Sequence, residues 1–321
     1  IKKYPLLTQI GSKRDSTQIN YQGKKWGSEV FDGVPHEGFY TQDDIKEIVA
    51  HAENLNITII PEIAMPGHAS AAIASYPFLG SSTQPIKVPE RFGVGEVIFN
   101  PASPKTIVFI QDVLKEVSDL FPGNIIHIGG DEAKYDLWKI NEDIKALMKE
   151  NQLENYSDVQ VHFTNNISDY INSVLGKRMM GWNEIMGNNL HNWENNDDNA
   201  TTKLSKNAII HFWKGGLENL KIAIDAGHDL VNSDHNYTYL DYTYEQIDLN
   251  KAYSFNPIPE GFTKEEAEAA SKVLLSNKVN NFGGVPYIYE IILKIGLKDE
   301  FFKFLKYSTI AGGHLDNNLK L

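Results

Sequence analysis

Residues 125–132 read Ile-Ile-His-Ile-Gly-Gly-Asp-Glu, which joins an apolar run to two glycines and two adjacent carboxylates. The apolar run predicts a short buried strand, and strand alternation places His127 and Asp131 on one face, with Glu132 just past the strand end. Glycine at 129 and 130 removes side chains beside the acids, which predicts that a bulky substrate approaches the backbone there. A strand that ends in such groups is typical of an α/β barrel enzyme.

A purely structural role is the alternative for the two acids. Asp131 would cap the following helix, and Glu132 would add negative charge to its first turn. However, a histidine, two glycines and two acids together at one strand end are poor choices for stability alone. The combination therefore favours a catalytic role.

The stretch resembles the His-x-Gly-Gly-Asp-Glu signature of glycoside hydrolase family 20, the β-N-acetylhexosaminidases. Other segments resemble motifs of that family in the same order along the chain. These segments are residues 1–8, 38–45, 61–68, 181–184, 211–213 and 239–241. The resemblance extends over roughly residues 1–262.

Strand-like and helix-like patterns alternate along the chain, which predicts a TIM-like (β/α)8 barrel. Predicted strands lie near 56–61, 124–129, 178–182, 208–213, 229–233 and 273–276. Predicted helices lie at 42–54, 103–120, 158–174, 217–226 and 286–296, and polar stretches at 80–96 and 188–206 read as loops rimming an active site. We expect one catalytic domain over residues 1–321, comprising strands three to eight plus C-terminal helices.

The first two strands of such a barrel have no counterpart in the sequence. The resemblance implies that they precede Ile1 and that they include an arginine that binds sugar hydroxyls. An open barrel leaves unpaired strand edges, so we expect either that the chain is trimmed or that another segment completes the barrel.

Composition fits a single large enzyme domain, because 321 residues with 41% hydrophobic content can bury a substantial core. The net charge of −12 argues against nucleic-acid or anionic-membrane partners. No apolar stretch is long enough to span a membrane, and the absence of cysteine excludes disulfides and thiol chemistry. The first residues show no signal peptide, although the family resemblance favours a secreted, periplasmic or cell-surface protein.

The resemblance implies a retaining exo-β-N-acetylhexosaminidase that acts on N-acetylhexosamine-terminated glycans or chitooligosaccharides. In this mechanism the 2-acetamido oxygen of the sugar attacks the anomeric carbon and gives an oxazolinium intermediate. Glu132 would be the general acid and then the base, and Asp131 would hold the acetamide N–H. Two neighbouring carboxylates resist ionising together, which favours one of them as a proton donor.

Further site residues follow from the same resemblance. Trp182 and Trp213 come at strand ends and are expected to line the wall of the sugar pocket. The alternative is that both are buried in the core. Tyr239 is expected to bind the acetamido oxygen and His68 to join a polar relay behind the acid. Asp241 would bind a sugar hydroxyl or brace its loop.

Supporting positions complete the candidate site. His127, Glu184 and Glu62 are expected to brace the barrel strands from buried positions. His68, His127, Asp131, Glu132 and His211 could converge at one barrel mouth, but no His-x-x-x-His or Asp-x-Asp spacing accompanies them. We therefore expect no metal and no cofactor.

Two departures from the family pattern bear on activity. Ala64 stands where the family often has an aspartate, so part of the relay behind Glu132 is absent. Near the C-terminus no tryptophan follows Trp213, and Phe282 and Glu290 stand near the expected end of strand eight. Two alternatives follow: a non-hydrolytic N-acetylhexosamine-binding relative with a degenerate site, or a disaccharide-releasing glycosidase.

Overall fold

The computed structural model describes residues 1–19, 28–82, 84–188, 190–191, 199–239, 242–256 and 262, together with the strands at 281–284 and 307–310. The described helices are α1 Leu6–Gln9, α2 Gln42–Asn54, α3 Ser70–Ser75, α4 Pro104–Leu120, α5 Asp136–Lys139, α6 Glu142–Asn151, α7 Tyr156–Ser173, α8 Leu217–Asp225, α9 His235–Thr238 and α10 Leu249–Tyr253, with 3₁₀ turns at Pro77–Leu79 and Asn183–Met186. The described strands are β1 Lys13–Arg14, β2 His36–Glu37, β3 Ile125–His127, β4 Arg178–Trp182, β5 Ile209–Phe212, β6 Asp229–Asn232, β7 Asn281–Gly284 and β8 Tyr307–Ile310.

The chain divides into two compact units. The first unit is Ile1–Glu47 with Ile60–Ser205, and the second is Ile48–Ile59 with Lys206–Leu321. The expectation of one domain over the whole chain stays a prediction. None of the helices in the described ranges combines the length and apolar character needed to cross a bilayer.

Parallel pairing joins the central segments of the first unit. β3 pairs with β4 in the register Ile126↔Met179 and His127↔Met180. The extended segment 61–65 lies along the other side of β3, because Ile63 N–H donates to the His127 carbonyl at 2.9 Å and His127 N–H donates to the Pro61 carbonyl at 2.9 Å. Three chain segments therefore end side by side, and their carboxyl ends carry the candidate catalytic residues.

Helix α4 shows how the sequence places a helix against these strands. Ser103 caps it by accepting from Thr106 N–H at 3.3 Å, and Pro104 occupies the first helical position, where no N–H is needed. One stripe is buried at helical spacing and consists of Thr106, Phe109, Ile110, Val113, Leu114 and Val117. The helix is thus held by its apolar face.

Helix α7 begins with a reciprocal capping box between Asn155 and Asp158. The Asp158 carboxylate is fully buried and also accepts from the backbone N–H groups of Thr201 and Thr202, at 2.7 and 2.6 Å. Burial favours a higher pKa for this carboxyl, but the N–H donors outweigh it and lower the pKa. One buried charge therefore fixes both the start of α7 and the chain at 201–202.

The second unit contains a β-α-β arrangement. β5 and β6 pair in parallel from Ile209↔Asp229 to Phe212↔Asn232, and α8 connects them, burying Leu220 and Ala223. Beyond the strands, His235 N–H donates to the Trp213 carbonyl at 2.8 Å. The aromatic residues that follow both strands are thereby drawn together.

The alternating α/β pattern with parallel strands is confirmed. Four predicted strands and four predicted helices match β3, β4, β5, β6, α2, α4, α7 and α8 within a few residues. Residues 56–61 form no strand, and Asn56 lies in a turn with a φ angle of 55°. Residues 273–276 and 286–296 lie outside the described residues. The sequence analysis missed α3, α5 and α6, which fall in stretches that it left as connections.

The buried Asp158 cap generates a stability prediction. Asp158→Ala removes the cap and leaves buried N–H groups without an acceptor, so it should lower the free energy of unfolding by about 3 kcal/mol in urea denaturation at pH 7. Asp158→Asn keeps one acceptor oxygen and should lower the free energy of unfolding by a smaller amount.

The same carboxylate should make stability depend on pH. Because folding lowers the pKa of Asp158, its contribution is present above the ordinary value of 3.8 and is lost as pH falls through the folded value. The difference between wild type and Asp158→Asn should therefore shrink towards pH 3. A difference that stays constant from pH 7 to 3 would contradict this.

Candidate active site

The chain leaves β3 in an unusual backbone conformation. Gly129, Gly130 and Glu132 have φ angles of 69°, 98° and 53°, and His68 opposite them has φ of 51°. Left-handed conformations are costly for residues with a side chain, so Glu132 and His68 need surrounding structure to hold them. Such strain is concentrated at functional sites in proteins.

Packing explains the two glycines. A Cβ atom on Gly130 would lie 2.2 Å from Cγ2 of Ile185, and one on Gly129 would lie 3.0 Å from Cα of Ala64. The interpretation that these glycines give clearance to a substrate is therefore wrong. They allow the chain to turn with positive φ while neighbouring segments pack directly against it.

His68 brings the two acids together. Its Nε2 atom lies 3.2 Å from Oδ2 of Asp131 and 3.3 Å from Oε2 of Glu132. The hydrogen bonds to Asp131 and then to Glu132 outweigh burial and raise the pKa of His68 to about 10. At neutral pH an imidazolium thus shares its N–H between two carboxylates, each with a side chain 21% exposed.

Glu62, His127 and Trp182 form a polar group beside this triad. Trp182 Nε1–H donates to Glu62 Oε1 at 3.1 Å, and the Trp182 ring meets His127 edge-on with centroids 5.0 Å apart. Gly129 N–H donates to Nδ1 of His127 at 3.0 Å, so that nitrogen carries no proton. The 3.6 Å approach of Nδ1 to Glu62 is therefore not an ion pair.

Glu62 is not the buried support that the sequence suggested. Its side chain is 42% exposed, and it orients the Trp182 indole. Desolvation raises the pKa of Glu62, and the charge of Asp131 raises it further, although the Trp182 hydrogen bond acts in the opposite sense. The Glu62 carboxyl is therefore electrostatically coupled to Asp131 and His68.

Gln160 of α7 holds the loop that carries the acids. Its Nε2–H donates to the Gly130 carbonyl at 2.7 Å, while its Oε1 accepts from the hydroxyl of Tyr135. Gln160 and Tyr135 are buried, so these bonds are shielded from water. The sequence analysis missed Gln160, because nothing local distinguishes a glutamine on an amphipathic helix from a surface residue.

Glu184 is buried, as expected from the sequence, and the structure gives it a partner. His191 Nε2 lies 3.0 Å from Glu184 Oε1, and both side chains are buried. Glu184 belongs to the 3₁₀ turn that directly follows Trp182. The pair therefore fixes the chain beyond the indole, and His191 was not recognised from the sequence.

Aromatic residues cluster in the second unit. Trp213 and Tyr239 stack with centroids 5.9 Å apart and planes 9° apart, and His235 meets both rings edge-on. The Tyr242 hydroxyl lies 2.8 Å from Nδ1 of His235. Asp241 lies outside the described residues.

His211 belongs to the same unit and lies close to β6. Its Nε2 is 2.8 Å from the Ser233 hydroxyl, and burial lowers the pKa of His211 to about 4. The ring is therefore neutral at physiological pH.

A cation could be considered at the triad, because ligand-type atoms of His68, Asp131 and Glu132 lie within 4.8 Å of one another. The high pKa of His68 means that a metal ion would first have to displace its proton. The expectation of a metal-free site stays a prediction.

Comparisons with known proteins point to one family. Residues 1–285 match the model of the glycosyl hydrolase family 20 catalytic domain. A β-hexosaminidase of Porphyromonas gingivalis is 32% identical over 272 residues, which is 81% of this chain and 31% of that protein. One of Vibrio furnissii is 32% identical over 273 residues, covering 81% of this chain and 41% of that protein.

Solved structures agree with this match. The β-N-acetylhexosaminidase of Bacteroides fragilis has a TM-score of 0.64 at 29% identity, covering 83% of this chain and 49% of that one. An exo-β-N-acetylglucosaminidase of Vibrio harveyi in complex with N-acetylglucosamine has a TM-score of 0.64 at 31% identity. The match covers 84% of this chain and 41% of that one. The chain thus spans less than half the length of these relatives.

The shared proton on His68 can be observed directly. Imidazole NMR shifts should show His68 protonated from pH 5 to about 9, because its two carboxylate partners raise the pKa to about 10. The stability that this proton confers should be complete below the ordinary pKa of 6.5 and lost as pH rises through about 10.

Asp131→Asn should lower the His68 pKa towards 6.5, whereas His211 should remain neutral across the same range. A His68 that titrates near 6.5 in the wild type would show that the three side chains do not interact as described.

The Gln160 bridge generates a second prediction. Gln160→Leu should lower kcat by about tenfold or more with a smaller change in KM, because small misplacements of catalytic groups are costly. Gln160→Glu cannot donate to the Gly130 carbonyl when ionised, so its kcat should recover as pH is lowered. Steady-state kinetics against pH measure both effects.

Asn165→Leu is the matched control, since Asn165 is an amide on the same helix that binds the Lys203 carbonyl and Ser205 N–H instead. It should lower stability and leave kcat unchanged. Equal kcat losses in the two leucine variants would assign Gln160 a purely structural role.

Proposed function

Because the chain belongs to glycosyl hydrolase family 20, we propose that it forms the catalytic part of a retaining exo-β-N-acetylhexosaminidase. The observation that carries the proposal is the pair of adjacent acids, Asp131 and Glu132, bridged by the His68 cation. We further propose that the parallel strands belong to an eight-stranded α/β barrel in a single domain. This would place the acids at the carboxyl end of a barrel strand, where such enzymes bind substrate.

The first step would break the glycosidic bond with help from the substrate. The acetamido oxygen attacks the anomeric carbon and the bond to the leaving oxygen breaks. Glu132 transfers to that oxygen a proton that it takes up when the bound sugar removes water from it. Asp131 accepts the acetamide N–H and stabilises the positive charge of the oxazolinium ring. In the second step water attacks the anomeric carbon and ionised Glu132 takes a proton from that water. The bond between the anomeric carbon and the acetamido oxygen breaks, which restores the acetamide.

His68 contributes a fixed positive charge to both steps. When Glu132 loses its proton, the neighbouring imidazolium stabilises the new carboxylate, and it also holds Asp131 in orientation. Ala64 stands where the family often has an aspartate in the polar relay behind Glu132. In this chain His68 instead contacts both Asp131 and Glu132 directly. The charge of His68 is retained at neutral pH because its pKa is high.

Aromatic residues would form the sugar subsite. Trp182 is oriented by its hydrogen bond to Glu62, and flat indole faces suit the apolar face of a pyranose. By family resemblance we also assign sugar binding to Trp213 and Tyr239, and their stacked arrangement supports a common role for these two residues. The N-acetylglucosamine bound by the Vibrio harveyi relative favours a substrate that ends in an N-acetylhexosamine.

The test measures how fast the full chain cleaves two substrates that differ in their leaving group. Glu132→Gln should lower kcat by about 10³-fold on N-acetylchitobiose, whose leaving sugar needs a proton, and much less on 4-nitrophenyl β-N-acetylglucosaminide. Glu37→Gln changes an exposed acid of the same unit that pairs with Lys13, and it should match the wild type. Equal losses on both substrates would remove Glu132 from the acid role.

Product analysis distinguishes the other candidates. An exo-acting hexosaminidase should release only monosaccharide from N-acetylchitohexaose. Disaccharide release would indicate the disaccharide-releasing alternative, and binding of an N-acetylglucosamine thiazoline without turnover of any substrate would indicate a non-hydrolytic relative.

A further inference from the structure

A cleft of about 840 Å³ lies in the first unit, between the turn at 77–82, the start of α4 and the helix α6. It shares no residue with the triad His68, Asp131 and Glu132 or with Trp182. Its volume falls within the range of about 300–1,000 Å³ that is usual for small-ligand sites.

The walls of the cleft are fixed by hydrogen bonds. Asn141 Nδ2–H donates to the Ser81 carbonyl at 3.2 Å, while its Oδ1 accepts from Asp143 and Ile144 N–H at the start of α6. On the opposite side Asn100 Oδ1 accepts from Ala102 N–H at 2.9 Å. The concave shape is therefore formed before any ligand binds, which reduces the entropy cost of binding.

Phe78 offers an apolar surface in the cleft. Its side chain is 44% exposed, and its ring is held edge-on against Tyr76 at 5.9 Å between centroids. An exposed phenyl ring in a fixed position is suited to stacking against a flat ligand with C–H groups on its face.

Charged groups also line the cleft. Lys105, Asp143 and Glu150 line the cleft, and in the part of the chain that the structure describes none of their charged groups forms an ion pair. They can therefore donate to and accept from a ligand. Two acids and one base argue against a phosphate-rich ligand and favour a neutral, polyhydroxylated one.

We propose that this cleft is a second carbohydrate-binding site, which binds a neutral oligosaccharide of N-acetylhexosamine units. A pyranose has the required combination of an apolar face and hydroxyl groups at its edge. The choice of sugar rests on the proposed function, since the site would bind the same glycan that the catalytic residues shorten. Holding a glycan at two places raises its effective concentration at the catalytic site, and this advantage is confined to long or polymeric substrates.

The test compares two exposed phenylalanines in the full chain. Phe78→Ala should raise KM for colloidal chitin about five- to tenfold and leave kcat/KM for 4-nitrophenyl β-N-acetylglucosaminide unchanged. Phe39→Ala is the matched control, because Phe39 is 60% exposed in the same unit and does not line the cleft. It should leave both values unchanged.

Binding is measured separately from turnover. Isothermal titration of N-acetylchitohexaose into protein whose catalytic site is saturated with a thiazoline inhibitor should detect binding to the cleft. Phe78→Ala should abolish this binding and Phe39→Ala should retain it. Glu150→Gln should weaken this binding less than Glu150→Ala, since the amide keeps hydrogen-bonding atoms at the same place.

Identical behaviour of the two alanine variants would overturn the proposal. This failure is distinguishable from failure of the proposed function, which would appear as no cleavage of the 4-nitrophenyl substrate. Should the small substrate be cleaved while the inhibitor-saturated protein binds no N-acetylchitohexaose, the second site alone is refuted.

Discussion

The arrangement depends on one shared proton, the Nε2–H of His68 between Asp131 and Glu132. Two adjacent carboxylates repel each other, and a cation within about 3 Å of both offsets that repulsion in a partly buried setting. His68 also needs both acids, since their hydrogen bonds keep it protonated against the cost of burial. The three side chains are therefore held as one unit, in which the two acids keep His68 charged and His68 orients both acids.

The backbone around the triad holds these side chains in position. Positive φ angles at Gly129, Gly130 and Glu132 turn the chain sharply after β3, and Ile185 and Ala64 occupy the space that side chains at the glycines would need. Gln160 and Tyr135 then fix the loop from behind. The conformational cost of the loop is offset by close packing and buried hydrogen bonds, as expected where a fold positions chemistry.

Much of this could be predicted from the sequence where the signal is local. The apolar runs at β3, β4, β5 and β6 and the helical stripe of α4 are local patterns, and the string ending in Asp131-Glu132 marks the site. The packing role of Gly130 could not be predicted, because Ile185 is distant in sequence and reaches it only in the folded chain. Gln160, His191 and the exposure of Glu62 were missed for the same reason, since each depends on partners brought together by tertiary structure.

The central claim is that the acetamido group of the substrate is the nucleophile and that Asp131 and Glu132 assist it. The most direct measurement is kcat for a series of 4-methylumbelliferyl glycosides whose N-acetyl group carries none, one, two or three fluorine atoms. Fluorine withdraws electrons from the attacking oxygen, so the account predicts a steep fall in kcat with each added atom. A kcat that does not change along the series would contradict it, because the sugar's own amide would then take no part in breaking the bond.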